Sequence, residues 1–233
     1  MDDLLQKVYR RDVRAVARLI SAVENDDAMA KKVVTSLYKS TGNAHTIGVT
    51  GPPGCGKSTL VNELTKLLSG LGHSVAVIAV DPTSPFTGGA LLGDRVRMAD
   101  IAGLDDVFVR SMASRGTLGG LAQATSAVVK ILDAAGYEFI LIETVGAGQA
   151  EVDIASVAHT VLVIEAPGSG DEVQTIKAGI LEIADILVVN KADRPSATNT
   201  VRTLETMIHL GQPASEPHHG RRLSDEDVTD ESN

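Results

Sequence analysis

The sequence predicts an α/β fold: a mostly parallel central sheet with helices on both faces, preceded by a helical extension. Three observations predict it. From residue 46 onward, short apolar runs alternate with stretches whose apolar residues recur at helical spacing. The run Gly51-Pro52-Pro53-Gly54-Cys55-Gly56-Lys57-Ser58 lies between the first apolar run and the first such helix. Nearly every apolar run then ends in a polar, Gly-rich or Pro-containing loop, the place where open α/β sheets bind ligands.

Residues 2–40 read as helical throughout, with Val13, Val16, Ala17, Ile20 and Val23, then Val33, Val34 and Leu37, at helical spacing. Asn25-Asp26-Asp27 supplies a stop and a new cap. Arg10, Arg11, Arg14 and Arg18 are expected on one face of the first helix, either a solvated face or a surface for a partner. Thr41-Gly42-Asn43 breaks the helix, so residues 1–43 form the N-terminal extension and 44–212 the sheet domain. Strands are expected at 46–50, 75–80, 106–109, 139–143, 160–165 and 185–190. Helices are expected near 57–69, 94–102, 118–135, 151–157, 173–181 and 199–210. Residues 213–233, acidic and without apolar periodicity, are expected to be a disordered tail.

The run Gly51–Ser58 matches G-x-x-x-x-G-K-[ST], the phosphate-binding P-loop, with the strand before it and the helix after it that the motif requires. Its glycines let successive N–H groups turn inward on an anion, and the helix N-terminus adds free amides. Lys57 is placed to reach the phosphates and Ser58 to ligate Mg²⁺, with Thr59 next in the same turn. A P-loop nucleoside triphosphatase fold follows.

The later loops should converge on this site. The strand at 75–80 runs into Asp81, a candidate Mg²⁺ or water ligand, and then a long Gly-rich stretch to Asp94, which doubles as a helix cap. Phe139–Ile142 ends in Glu143-Thr144-Val145-Gly146. Here the carboxylate that holds the Mg²⁺ shell is expected, followed by a glycine whose N–H meets the γ-phosphate, although GTPases usually place Asp first. Gln149 is a candidate for orienting the attacking water. The loop from Ala166 to Gln174 is of a kind that the γ-phosphate can order or release. Ile186–Val189 ends in Asn190-Lys191-Ala192-Asp193, the N-K-x-D pattern of guanine-reading proteins. A fixed carboxylate at Asp193 accepts from the guanine N1–H and exocyclic amine, which adenine does not offer in that arrangement. GTP and GDP are therefore favoured over ATP.

Composition narrows the setting. The net charge is −9, and no basic stripe or aromatic cluster suggests nucleic-acid binding. A single cysteine suits a reducing compartment, and Cys55 reads as a small filler of the P-loop. The N-terminus carries acids where a secretory signal has bases, and no apolar run has membrane-spanning length. A cytoplasmic protein without membrane contact is expected.

Taken together, Gly51–Ser58, the stretch from Val80 to Arg95, Arg110-Ser111-Met112-Ala113-Ser114-Arg115-Gly116, Glu143–Gly146 with Gln149 and Glu151-Val152-Asp153, and Asn190–Asp193 closely resemble the MeaB/ArgK family of GTPases. That family is related to the signal-recognition and metallochaperone GTPases and includes the methylmalonic aciduria type A proteins. The resemblance runs to about residue 212. It implies a Mg²⁺-dependent GTPase that serves as chaperone and gate for cofactor loading of an adenosylcobalamin-dependent acyl-CoA mutase. Position by position, it implies phosphate contact by Lys57, metal ligation by Ser58, and metal or catalytic roles for Asp81, Asp94 and Glu143. Asn190, Lys191 and Asp193 fall on its base-reading motif, and 166–177 on the segment that senses the mutase. Pro52 stands where the deviant Walker ATPases carry an extra lysine, and no Cys/His cluster fits a nickel chaperone. Members continue through another strand, a Ser-Ala-type loop at the guanine and a helical arm used in dimerisation. The sequence after Gln212 matches none of these, which counts against the family's homodimer for this chain and predicts an uncovered sheet edge. A nucleotide-binding module without effective turnover, and a P-loop ATPase or small-molecule kinase, are the alternatives.

Overall fold

The computed structural model describes residues 2–25, 27–82, 98, 100–114, 120–144, 154–168 and 181–210. Three helices open the chain: α1 (Asp2–Tyr9), α2 (Val13–Glu24) and α3 (Ala28–Leu37), followed by a 3₁₀ turn at Tyr38–Ser40. Then come β1 (His45–Thr50), α4 (Lys57–Gly70), β2 (Val75–Pro82), β3 (Val107–Ser114), α5 (Gly120–Ala134), β4 (Phe139–Thr144), β5 (Thr160–Glu165), β6 (Ile186–Val189) and α6 (Ala197–Leu210). The strands form one sheet in the order β3-β2-β4-β1-β5-β6, with every neighbouring pair parallel.

All-parallel pairing buries both faces, so the strands should be apolar without alternation. In β2, Val75, Ala76, Val77, Ile78 and Ala79 are all fully buried. Ala76 and Ile78 pack with Ile140, Ile142, Phe108 and the buried faces of α1, α2, α3 and α5. Val75, Val77 and Ala79 pack with Val49, Leu141, Ile164 and the inner face of α4. The N-terminal helices thus share one continuous core with the sheet. β6 lies at one edge, partly exposed, with Ile186 outermost.

Four expectations need correction. The helix predicted over 94–102 is not present in its described part: Met98 and residues 100–103 form turns, with Ala102 N–H donating to Met98 O at 3.2 Å. Gly103 follows at once, and Asp106 adopts a positive φ of 58°, so the chain turns into β3 instead of winding on. β3 itself runs to Ser114, five residues past its predicted end, because pairing with β2 over eight positions carries the polar stretch Arg110–Ser111 along. The N-terminal helix is broken at Arg10–Asp12, where Arg11 has a φ of 58° and Asp12 caps α2 by accepting Ala15 N–H at 2.8 Å. The four arginines therefore do not share one helix face. Arg11 reaches inward to Gly136 O at 2.5 Å, Ala135 O at 3.3 Å and Asp106 at 3.0 Å, with its guanidinium over the Tyr137 ring. Asp27, as expected, caps α3. Of the helices predicted at 151–157 and 173–181, the described residues show the last turns, Ile154–Ala155 and Leu181–Glu182. The tail 213–233 lies outside the described residues. Among the described residues, no helix is long and apolar enough to cross a membrane.

Candidate functional site

β1 sits between β4 and β5, and its carboxyl end delivers the chain into the P-loop. Two glycines there are dictated by space as well as by backbone angle. Gly51, at a φ of 141°, lies so close to Ile164 of β5 that a Cβ would collide with its carbonyl oxygen. Gly56, at a φ of 103°, is the N-cap of α4, and a Cβ would strike the Asn190 amide. Only glycine satisfies both conditions at both positions.

Lys57, the first residue of α4, is 6% exposed, and its ammonium donates to Gly51 O at 2.8 Å and Pro52 O at 3.0 Å. A buried cation held by its own loop's carbonyls stands ready to move to a stronger acceptor. Pro52 and Cys55 are buried, while Pro53, Gly54 and Thr59 face solvent. Burial pushes the Cys55 thiol up from its ordinary value, against the lowering influence of nearby Lys57. The cysteine is a packed filler, not an activated nucleophile.

Register places Glu143 of β4 opposite Val49 of β1, just before the P-loop. Glu143 is almost fully buried and accepts a hydrogen bond from the Ser58 hydroxyl at 2.6 Å. One strand residue on, the buried Thr144 hydroxyl donates to that of Thr50 at 2.9 Å, tying the ends of β4 and β1 together. The threonine pair was missed from sequence, although each stands directly beside a motif residue. The Ser58–Glu143 pair fits Mg²⁺: both are hard oxygen donors, and a serine hydroxyl can give its proton to the carboxylate while its lone pair faces the metal. Asp81 ends β2 at the same end of the sheet, with its backbone opposite Ala113 of β3. Asp94, Gly146 and Gln149 lie outside the described residues.

The N-K-x-D segment meets the P-loop directly. Asn190 N–H donates to Glu165 O at 2.8 Å, its side-chain amide donates to Cys55 O at 2.8 Å, and its Oδ1 accepts Lys191 N–H at 2.8 Å. Lys191, at a φ of 54°, donates from Nζ to Gly54 O at 2.6 Å. These two side chains brace the phosphate loop, which the motif alone does not reveal. Asp193 is exposed, and among the described residues its carboxylate takes no partner. The P-loop, the Ser58–Glu143 pair and the Asn190–Lys191 turn thus lie at the carboxyl ends of β1, β4 and β6, with the turn bonded to the loop.

Residues 16–229 match the family model described as methylmalonyl-CoA mutase-associated GTPase MeaB. The chain belongs to the MeaB family. Its match runs beyond residue 212, where the motif-level resemblance stops. A putative GTPase of Pyrococcus horikoshii is 56% identical over 210 residues, covering 90% of this chain and 66% of that protein. A probable GTPase of Mycobacterium tuberculosis is 43% identical over 220 residues, with 91% and 66% covered. The crystal structure of a LAO/AO transport system kinase superposes with a TM-score of 0.70 at 28% identity, over 97% of this chain and 65% of that one. The chain spans just under two thirds of the length of each of these relatives.

Proposed function

We propose that this MeaB-family chain is a Mg²⁺-dependent GTPase switch that hydrolyses GTP to GDP and phosphate. In this reading it acts as chaperone and gate for an adenosylcobalamin-dependent acyl-CoA mutase such as methylmalonyl-CoA mutase. The observation that carries it is the direct bonding of the Asn190–Lys191 turn to the P-loop carbonyls of Gly54 and Cys55. Phosphate grip and base selection then form one rigid unit, and the family's description supplies the partner.

The residues divide the work. The amides of Gly54–Ser58 and the Lys57 ammonium take the phosphates, Lys57 leaving Gly51 O and Pro52 O to do so. Asp193 accepts from guanine. Ser58 and Glu143 would hold Mg²⁺, with Asp81 and Asp94 as further acids; bound there, the ion would neutralise charge on the phosphates. Gln149 is assigned the water, and segment 166–177 the report to the mutase. Cytoplasmic location belongs to the same proposal.

Calorimetric titration with GDP and with ADP, each with Mg²⁺, tests the site. Tight GDP binding without an ADP signal is the expected result, and equal, weak binding of both would overturn it. GTP turnover measured with and without the mutase tests the partner: a rise on mixing is expected, and an unchanged rate would remove the chaperone assignment.

A further inference from the structure

Asp193 hangs between two sets of anchors. On its amino side, Asn190 and Lys191 are tied to the P-loop through Cys55 O and Gly54 O. On its carboxyl side, Arg194 donates from Nη1 to Pro167 O at 3.1 Å, where the chain leaves β5. Pro167 is buried and follows directly on the strand whose Glu165 carbonyl accepts Asn190 N–H. Arg194 also closes the turn itself, its N–H donating to Lys191 O at 3.1 Å and its carbonyl accepting Ala197 N–H at 3.0 Å at the start of α6. A carboxylate on an exposed turn reads a base only if the turn holds still, since hydrogen bonds weaken steeply away from their ideal distance and angle. The P-loop bonds fix one end of the turn, and the Arg194 guanidinium ties the other to the loop that follows β5.

We infer that Arg194 is a positioning residue for guanine selectivity: by gripping Pro167 O it holds the Asp193 carboxylate where the exocyclic amine of a guanine nucleotide arrives. The inference rests on the guanine reading given above. It differs from that reading in assigning the discrimination to the rigidity of the turn, through a residue outside the N-K-x-D pattern. Arginine suits the role because its stem can lie along the protein surface while its fork reaches a carbonyl.

The test compares GDP with inosine diphosphate, which lacks the exocyclic amine and is otherwise the same ligand. In the unaltered protein GDP should bind about tenfold or more tightly than inosine diphosphate, the scale of a hydrogen bond to a charged acceptor. R194A should lower that ratio about threefold or more, weakening GDP more than inosine diphosphate, which offers Asp193 only its N1–H, with the melting temperature little changed. R194K, which keeps one donor for Pro167 O, should recover part of the ratio. An R194A protein with the full ratio would overturn the inference while leaving the guanine reading intact. An equal loss of both ligands, or recovery of fold but not of ratio in R194K, would also overturn it, because Arg194 would then serve the fold and not the aim of Asp193. A ratio near one in the unaltered protein would show that the exocyclic amine is not read and would overturn this inference, while equal binding of GDP and ADP would overturn the guanine reading itself.

Discussion

At the scale of single residues, the P-loop shows how much one side chain can depend on a neighbour distant in sequence. Asn190 satisfies the Cys55 carbonyl, so Asn190→Ala leaves a partly buried acceptor unpaired, at about 1–3 kcal/mol. GDP should bind roughly tenfold or more weakly in N190A, as read by calorimetry. If the affinity were unchanged, the brace would be incidental. Cys55 offers a pH test. Its folded pKa lies above the ordinary 9.0, so its contribution to stability is complete below that pH and is lost as pH rises beyond it. Thermal melts between pH 8 and 10 should show a decline that Cys55→Ala removes; identical profiles would contradict the raised thiol. The same burial should keep Cys55 slow to alkylate until the protein is unfolded.

At the scale of elements, the N-terminal helices are positioned by particular contacts at the amino ends of the strands, the end opposite the P-loop. Arg11 bonds to the Ala135 and Gly136 carbonyls, pairs with Asp106 and covers Tyr137. Arg11→Ala should cost about 1–2 kcal/mol of stability, since partly exposed hydrogen bonds are each worth about 1 kcal/mol. Its GDP affinity should match the unaltered protein; a large loss would mean that the two ends of the sheet communicate. The break that creates this contact was not legible in the spacing of apolar residues, because a helical period continues smoothly through residues 10–12. Asp12 was the available sign, an N-cap type directly before Val13, as Asp27 was for α3. At β3 the reverse happened: polar Arg110 and Ser111 concealed a strand that pairing with β2 enforces. Arg110 there finds Glu24 and Ser21 of α2, a partner that no local pattern announces.

At the scale of the whole molecule, one sheet is covered on both faces, and the helical extension belongs to the core of one of them. Ile140 lies in the cluster that joins β4 to α1, α2, α3 and α5. Ile140→Ala should therefore cost about 2–5 kcal/mol and lower the melting temperature of extension and sheet together. A single calorimetric transition is expected; a separate early transition for the N-terminal helices would show that they are an independent unit.

By itself the sequence determined the parallel α/β class, the P-loop motif with its helix, and the placing of Glu143 and the N-K-x-D run at strand ends. These are local matters: strand and helix periods, glycines needed for positive φ, and side chains whose chemistry is fixed by type and order. Tertiary structure alone decided that Asn190 and Lys191 brace the P-loop, that Thr144 bonds Thr50, and that Arg194 grips Pro167. The Thr144–Thr50 and Arg194–Pro167 bonds join ends of neighbouring strands, and the Asn190–Lys191 brace reaches from the end of β6 past β5 to the loop after β1, although the residues lie far apart in the chain. Adjacency in a parallel sheet is set by crossovers and by burial of both faces, and a one-dimensional pattern carries no direct record of either.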